Sequence, residues 1–251
     1  MDSKQKEALV ARLTAMADDE LILAHRDAEW TGHAPILEED IALANLAQDE
    51  LGHATTFYGL VKTLTSQTPD RLAFFRDAAD FRNVQLVELP KGDWAFTMLR
   101  QYLFDAYEHV LYDALLKSTY QPLADVVTKF RGEEMYHLRH SHVWVERLGL
   151  GTAESNGRMQ AALDSMWLYT GQLFSQMKTD PILVESGMFP AVDTLYPKWE
   201  SIVLPHLQAC NLSVQTHSTM LMSQRSVHSP HLAGVLSDLQ QVARWDPEAE
   251  W

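Results

Sequence analysis

Two copies of the motif Glu-x-x-His are the residues of this sequence best suited to chemistry. The first copy is Glu50 with His53, and the second is Glu134 with His137. Residues three apart lie on the same face of an α-helix, so each pair directs a carboxylate and an imidazole to one side. Two such pairs, together with one carboxylate from each of two other helices, are the inward ligands of di-iron and di-manganese helical bundles.

Two further carboxylates stand at matching distances from the motifs. Glu20 precedes Glu50, and Asp105 precedes Glu134, by nearly the same interval. That interval, about 30 residues, lets the chain complete one helix, turn, and return along a neighbour to the same level. Glu108 is the alternative to Asp105, but it stands nearer to Glu134, so its offset does not match that of Glu20. The predicted metal ligands are therefore Glu20, Glu50, His53, Asp105, Glu134 and His137.

The types of these ligands predict the metal. Carboxylates and imidazoles suit two Fe ions, with Mn as a possible substitute, and a dinuclear site holds its ions about 3.5–4 Å apart. Asp49 and Glu133 each precede a motif histidine by four residues. We expect these two acids to accept a hydrogen bond from the imidazoles of His53 and His137 and so fix which nitrogen meets the metal.

Apolar residues spaced three and four apart predict the helices that carry these ligands. Four long helices are expected near residues 4–30, 36–65, 94–118 and 122–148. Glu20 falls in the apolar stripe of the first helix, where a carboxylate must be paired or metal-bound. Its neighbours Asp18 and Asp19 are expected to be solvated.

The remaining segments predict shorter helices. A short helix is expected near 70–79, and further helices near 156–179, 198–210 and 231–244, with a turn-rich loop over 180–197. The predicted fold class is all-α, a ferritin-like four-helix bundle with additional C-terminal helices. It forms a single domain over 1–251, with the core bundle at 4–148 and a C-terminal helical extension at 156–251.

Composition narrows the classes of partner. The formal charge of −14 argues against nucleic acid and anionic membranes as partners, and no apolar stretch is long enough to span a membrane. The single Cys210 excludes an intramolecular disulfide and a cysteine-based metal cluster, and it fits a reducing, cytoplasmic location.

Two further histidines follow the second motif on the same predicted helix. His140 and His142 are interpreted as surface or interface residues.

The motif regions resemble the phenylacetyl-coenzyme A epoxidase (ring 1,2-monooxygenase) family. The resemblance covers nearly the whole chain, and much of it is to the smaller, structural C subunit of that family. In the C subunit the metal ligands are typically degraded, whereas all six positions are intact here. The stretches that carry the resemblance include 29–35, 40–47, 48–54, 100–102, 133–141, 146–149, 228–239 and the terminal Trp251.

The resemblance implies a subunit of a multicomponent epoxidase of phenylacetate degradation, a di-iron monooxygenase component acting on phenylacetyl-CoA. It implies a heteromer with a catalytic epoxidase subunit, and it implies electrons from a separate reductase; a homo-oligomer stays open. No residues form a recognisable nicotinamide or flavin motif, and no catalytic residue is predicted beyond the metal ligands. Two alternatives are a non-catalytic structural subunit that retains its metal site and a ferritin-like iron or peroxide protein.

Overall fold

The described part of the chain is helical throughout. The structure, a computed structural model, describes residues 1–215 and 220–249, and no β-strand occurs among them. The predicted all-α fold class is confirmed. Among the described residues, no helix has both the length and the apolar character needed to cross a membrane. Trp251, one of the positions that carry the family resemblance, lies outside the described residues.

Ten α-helices follow one another along the described residues. Four are long: α1 (Ser3–Ala28), α2 (Leu37–Leu64), α5 (Trp94–Leu115) and α6 (Gln121–Gly149). Their bounds match the predicted long helices to within about three residues, because the apolar spacing and the turn residues mark both ends. The others are α3 (Pro69–Phe74), α4 (Gln85–Glu88), α7 (Ala153–Met166), α8 (Asp180–Glu185), α9 (Tyr196–Ala209) and α10 (Leu232–Trp245).

Three segments depart from the sequence prediction. The helix expected over 156–179 leaves α-helical geometry after Met166 and continues as a 3-10 helix over Trp167–Phe174. The loop expected over 180–197 contains α8 and a 3-10 turn at Val192–Thr194. The short helix expected over 70–79 ends at Phe74. Short elements of this kind are fixed by tertiary packing more than by periodicity.

The chain divides into two compact units. The first comprises Met1–Pro90 and the C-terminal segment from Arg225, and the second comprises Lys91–Gln224. The division does not follow the predicted boundary between a core at 4–148 and an extension at 156–251. The prediction of one ferritin-like domain stays a prediction, and each unit is described by itself.

The first unit is built on the antiparallel pair α1 and α2. Contacts such as the 2.5 Å hydrogen bond from the Tyr58 hydroxyl to Asp18 join the two helices. In the turn between them, Asp40 accepts hydrogen bonds from the backbone N–H groups of Gly32 and Ala34 at 2.9 and 3.2 Å. Gly32 has a φ of 78°, a conformation that glycine adopts without strain. This turn sets the register in which α2 returns along α1.

Asp18 and Asp19 are buried in the first unit, so the expectation that they are solvated is wrong. Asp18 forms an ion pair with Arg76. Asp19 accepts hydrogen bonds from Arg225 at 2.6 Å and from the backbone N–H of Val84 at 2.7 Å. The partners come from segments far away along the chain, which is why helical spacing in α1 could not reveal them. Both acids attach those segments to α1.

The C-terminal segment is held in the first unit by a third buried acid. Glu88 accepts hydrogen bonds from the backbone N–H of Ser229 and from Asn83, at 2.6 and 2.9 Å. The ring Nδ1 of His228 lies 2.6 Å from the Glu88 carboxylate. His228 therefore takes part in an ion-pair network with Glu88.

The second unit is built on the antiparallel pair α5 and α6. The Ser141 hydroxyl of α6 donates a 2.7 Å hydrogen bond to Asp105 of α5, and Arg131 lies 3.0 Å from Asp113. α9 packs against α5 through Trp199, which is fully buried and donates its indole N–H to the Leu103 carbonyl at 3.0 Å. Each unit thus contains one antiparallel pair of long helices.

Candidate metal centre

Three predicted ligands meet in the first unit. Glu20 from α1 and the pair Glu50 and His53 from α2 are all buried. His53 Nδ1 lies 3.7 Å from Glu20 Oε2 and 3.6 Å from Glu50 Oε2. The candidate ligand atoms of all three side chains lie within 4.8 Å of one another. Since such ligands bind a divalent ion at about 2.0–2.2 Å, their spacing is suited to sharing one ion.

The sequence brings these three side chains together by two simple relations. Glu50 and His53 share a face of α2 because they are three residues apart. Glu20 reaches them because α1 and α2 are antiparallel and meet at the level that the offset between Glu20 and Glu50 predicts. The first unit therefore brings these three side chains close together, as the spacing predicts, and their role as metal ligands stays a prediction.

The electrostatics of this triad favour a bound cation. Burial, and then the negative charge of Glu50, raise the pKa of Glu20 from its ordinary value of 4.5 to about 8, while His53 acts in the opposite direction. Two carboxylates close together in a low-dielectric site cannot both ionise without a compensating charge. A divalent cation would replace the proton on Glu20 and stabilise both acids in their charged form. The donor set fits a transition metal.

The second unit carries the other Glu-x-x-His pair and two acids of α5. Glu134 Oε1 lies 3.6 Å from His137 Nδ1, and both residues are buried. Asp105 and Glu108 are also buried, with carboxylate oxygens within 4.8 Å of each other. The second unit therefore offers the same kinds of ligand as the first, and it offers one carboxylate more than the sequence assigned.

Asp105 and Glu108 differ in how the protein holds them. Both oxygens of Asp105 accept hydrogen bonds, from Gln101 Nε2 at 2.8 Å and from the Ser141 hydroxyl at 2.7 Å. Glu108 accepts one from the Tyr112 hydroxyl at 3.0 Å. Metal-binding carboxylates are commonly hydrogen-bonded in this way, so both acids are candidates. The sequence prediction prefers Asp105 to Glu108 because of the offset alone. Two features of the sequence indicate that Glu108 is also a candidate: it shares a helix face with Asp105, and Tyr112 follows it by four residues.

The supporting acids Asp49 and Glu133 differ in exposure. Asp49 is half-buried on α2, and Glu133 is exposed on α6. Their predicted role as acceptors for His53 and His137 stays a prediction. The same holds for the joint action of the six predicted ligands, three of which belong to each unit.

Comparison with known proteins connects these helices to a family. The chain matches the family described as "Phenylacetic acid catabolic protein" over residues 1–251. It is 38% identical over 245 residues to the C subunit of 1,2-phenylacetyl-CoA epoxidase of Escherichia coli (strain K12), covering 97% of this chain and 99% of that relative. It is 24% identical over 167 residues to the A subunit of the same epoxidase, covering 66% of this chain and 54% of that relative. This chain therefore belongs to the phenylacetic acid catabolic protein family.

Proposed function

We propose that the chain is a subunit of a phenylacetyl-CoA epoxidase complex and that it carries its own carboxylate-bridged di-iron site. The similarity to the epoxidase C subunit extends over nearly the whole chain, which supports membership of such a complex. The observation that carries the metal proposal is the buried triad of Glu20, Glu50 and His53. A purely structural protein has no need to bury two acids against each other, because doing so costs several kcal/mol unless a cation is present.

The proposed ligand set balances its charges. Glu20 and Glu50 supply two carboxylates from the first unit, and Glu134 supplies one from the second. Asp105 or Glu108 supplies the fourth, so that four negative charges meet the four positive charges of two divalent ions. We propose that His53 and His137 complete the set, as the repeated motif predicts.

The chemistry that a bound iron pair supplies is activation of dioxygen and insertion of one oxygen atom into an aromatic ring. The residues of the chain provide the conditions for it. Glu50 and His53 hold fixed positions on one face of α2, while Gln101 and Ser141 orient the carboxylate of Asp105. In the metal-free state the Glu20 carboxyl holds a proton up to a pH of about 8, and it would give that proton up to solvent on holding a cation. Burial of these side chains keeps bulk water away.

The substrate and the partners are proposed from the family. We propose phenylacetyl-CoA as the acyl-CoA substrate and a ring epoxide as the product. The heteromeric partner would be the catalytic epoxidase subunit, and a separate reductase would be the source of electrons. The two relatives are named as different subunits of one epoxidase, which supports a heteromeric assembly. The choice of iron over manganese rests on the family and on the preference of carboxylate and imidazole ligands.

One alternative has a specific observation in its favour. The identity to the C subunit is 38%, against 24% to the A subunit, which favours a structural role in the complex. In that case the metal site would be retained for stability, and oxygen transfer would take place on the catalytic partner.

Turnover in the assembled complex separates the two functions. The chain is co-purified with its catalytic partner, supplied with Fe²⁺, reductase, dioxygen and phenylacetyl-CoA, and the oxygenated product is measured. If this chain takes part in the chemistry, Glu134→Ala should reduce turnover more than about 100-fold, a loss typical of a catalytic constellation. The control is Glu38→Ala, which removes an exposed acid of α2 and should leave turnover unchanged. Equal turnover in both variants would assign the chain the structural role.

A further inference from the structure

A second cluster of metal-binding side chains lies in the second unit. His142 and Glu146 are four residues apart on α6, and His206 and Cys210 are four apart on α9 and at its C-terminal cap. Candidate ligand atoms of His142, Glu146 and His206 lie within 4.8 Å of one another. Cys210 Sγ lies 3.4 Å from His206 Nε2. We propose that these four side chains bind one transition-metal ion, with Zn²⁺ as the best match, at a site distinct from the di-iron ligands.

The distance between sulfur and nitrogen fits a shared ion. Zinc binds cysteine sulfur at about 2.3 Å and histidine nitrogen at about 2.0–2.1 Å, so a tetrahedral ion would hold the two atoms about 3.6 Å apart. The observed separation of His206 Nε2 and Cys210 Sγ is 3.4 Å. Two imidazoles, a thiolate and a carboxylate form a mixed nitrogen, sulfur and oxygen set of the kind that selects zinc over calcium or magnesium.

The backbone of the two helices holds this cluster in place. Gly149 ends α6 directly against Cys210, where a Cβ atom would lie 2.6 Å from the Cys210 carbonyl oxygen. Only glycine permits this approach. Asn156 Nδ2 then donates to the carbonyl of Gly149 at 2.8 Å and lies 3.4 Å from that of Cys210. The ends of α6 and α9 are therefore fixed to each other at Cys210, one of the four proposed ligands.

The polar atoms of the cluster are incompletely satisfied. His206 Nδ1 and the Tyr102 hydroxyl are buried and have no hydrogen-bond partner among the described residues. Tyr102 packs edge-on against the His206 ring, with centroids 4.9 Å apart. The proposed ion would lie at Nε2 of His206, the nitrogen beside Cys210, so Nδ1 and the Tyr102 hydroxyl stay outside the ligand set.

The charge states of His206 and Cys210 act on metal binding in opposite directions at neutral pH. Burial, and then the neighbouring His142, lower the pKa of His206 to about 4, so its ring is neutral and has one unprotonated nitrogen. Burial and then Glu146 raise the pKa of Cys210 to about 11, so the ion must displace the thiol proton to solvent in order to bind sulfur. The negative charge of Glu146 disfavours the Cys210 thiolate, and the positive charge of a bound ion would offset this effect.

One local rearrangement is required. The rings of His142 and His206 are stacked, with centroids 3.4 Å apart and planes 9° apart. Their nitrogen lone pairs therefore point side by side, whereas a shared ion needs them to converge. Both rings are half-buried, and the metal-bound cluster would replace the stack once one of them turns.

Titration of the full-length chain with Co²⁺ tests this proposal directly. Cobalt bound by a thiolate gives a ligand-to-metal charge-transfer band in the near ultraviolet. Because the chain has a single cysteine, that band can arise only at Cys210 and not at the di-iron ligands, which contain no sulfur. We expect the band to appear on titration and to disappear when Zn²⁺ is added.

Matched variants assign the remaining ligands. His142→Asn and Glu146→Gln should each weaken Co²⁺ binding, followed by this band, more than about tenfold, the loss typical of a residue that supports a metal site. Glu146 is exposed, so its variant should fold. The controls His109→Asn and Glu185→Gln change the same residue types elsewhere in the second unit and should leave the titration unchanged. A wild-type chain that shows no thiolate band at saturating Co²⁺ overturns the proposal and leaves the di-iron proposal intact, as does a band that neither variant alters.

Discussion

Two groups of buried acids in the first unit show what separates a structural carboxylate from a metal ligand. Asp19 lies against Arg225, a cation that the chain itself supplies. The next residue, Glu20, lies close to a second acid, Glu50, and to the imidazole of His53. Burial raises the pKa of both Asp19 and Glu20. Arg225 then offsets part of that effect at Asp19, whereas the charge of Glu50 adds to it at Glu20.

The contrast gives a rule for assigning such residues. A buried acid paired with an arginine has its counter-charge built into the fold, and its function is to attach one segment to another. A buried acid placed against a second acid lowers stability unless a cation arrives from solution. Asp19 thus has its counter-charge within the protein, whereas the neighbouring Glu20 requires a cation from solution. Substitutions at the two sites should therefore have different effects on stability.

The largest effect is expected from removal of the built-in cation. Arg225→Met leaves Asp19 buried without its ion-pair partner, which typically costs about 3–5 kcal/mol of the free energy of unfolding. Urea denaturation of the metal-free chain measures this loss. The control Arg131→Met breaks an exposed pair with Asp113 in the second unit and should cost at most about 1 kcal/mol. Equal losses in the two variants would contradict a structural role for Arg225.

The same change of acid to amide should have opposite consequences at the two positions. Asp19→Asn leaves the Arg225 charge without its counter-charge and should lower the free energy of unfolding of the metal-free chain by about 1–3 kcal/mol. Glu50→Gln removes a repulsion and should leave that quantity unchanged or raise it. In the presence of Fe²⁺ the order reverses, because only Glu50→Gln loses the stabilisation that a bound metal confers. A Glu50→Gln variant as unstable as Asp19→Asn without metal would contradict the comparison.

The long helices were predictable from the sequence, whereas the burial of Asp18 and Asp19 was not. The ends of the four long helices follow from local apolar spacing, and so does the meeting of Glu50 with His53. The burial of Asp18 and Asp19 does not follow from local spacing, because their partners Arg76 and Arg225 come from distant segments of the chain. Helical periodicity identifies the buried face of a helix, but it does not tell which long-range partner a polar residue on that face will meet.

The candidate sites show the same limit. Glu108 was set aside because the offset rule treats α5 and α6 as ideal helices joined by a short turn. The sequence predicts His142 as a surface or interface residue and does not place Cys210 near it, since their shared neighbourhood depends on the approach of α9 to Gly149. The offset between Glu20 and Glu50 predicts how α1 meets α2, whereas no spacing in the sequence predicts that α9 reaches α6.

The pH dependence of stability sharpens the comparison further. In the metal-free chain Glu20 holds its proton up to a pH of about 8, because its pKa lies well above the ordinary value of 4.5. A raised pKa in the folded state contributes stability that is complete below the ordinary pKa and is lost as pH rises through the folded value. Glu20→Gln, which cannot ionise, should therefore show a flatter free energy of unfolding across this window. Identical pH profiles for the variant and the wild type, measured with chelator present, would contradict the raised pKa of Glu20.

The smallest effect is expected from loss of a neutral hydrogen bond. Ser141→Ala removes one of the two donors that orient Asp105, and it should weaken iron binding about tenfold if Asp105 is a ligand. Tyr112→Phe is the matched change at Glu108. An effect of Tyr112→Phe alone on iron affinity would assign the ligand role to Glu108 instead of Asp105.

The most direct test of the central claim is the iron stoichiometry of the purified chain. The protein is treated with chelator, titrated with Fe²⁺ under anaerobic conditions, desalted, and analysed for metal, with Glu50→Ala, Glu134→Ala and the control Glu38→Ala in parallel. We predict about two irons per chain for the wild type and for Glu38→Ala, the content of a dinuclear site. Glu50→Ala and Glu134→Ala should each lose at least one iron while remaining folded by circular dichroism. A wild-type chain that retains no iron, or the same iron content in all four proteins, would contradict the claim that these buried acids form a metal centre.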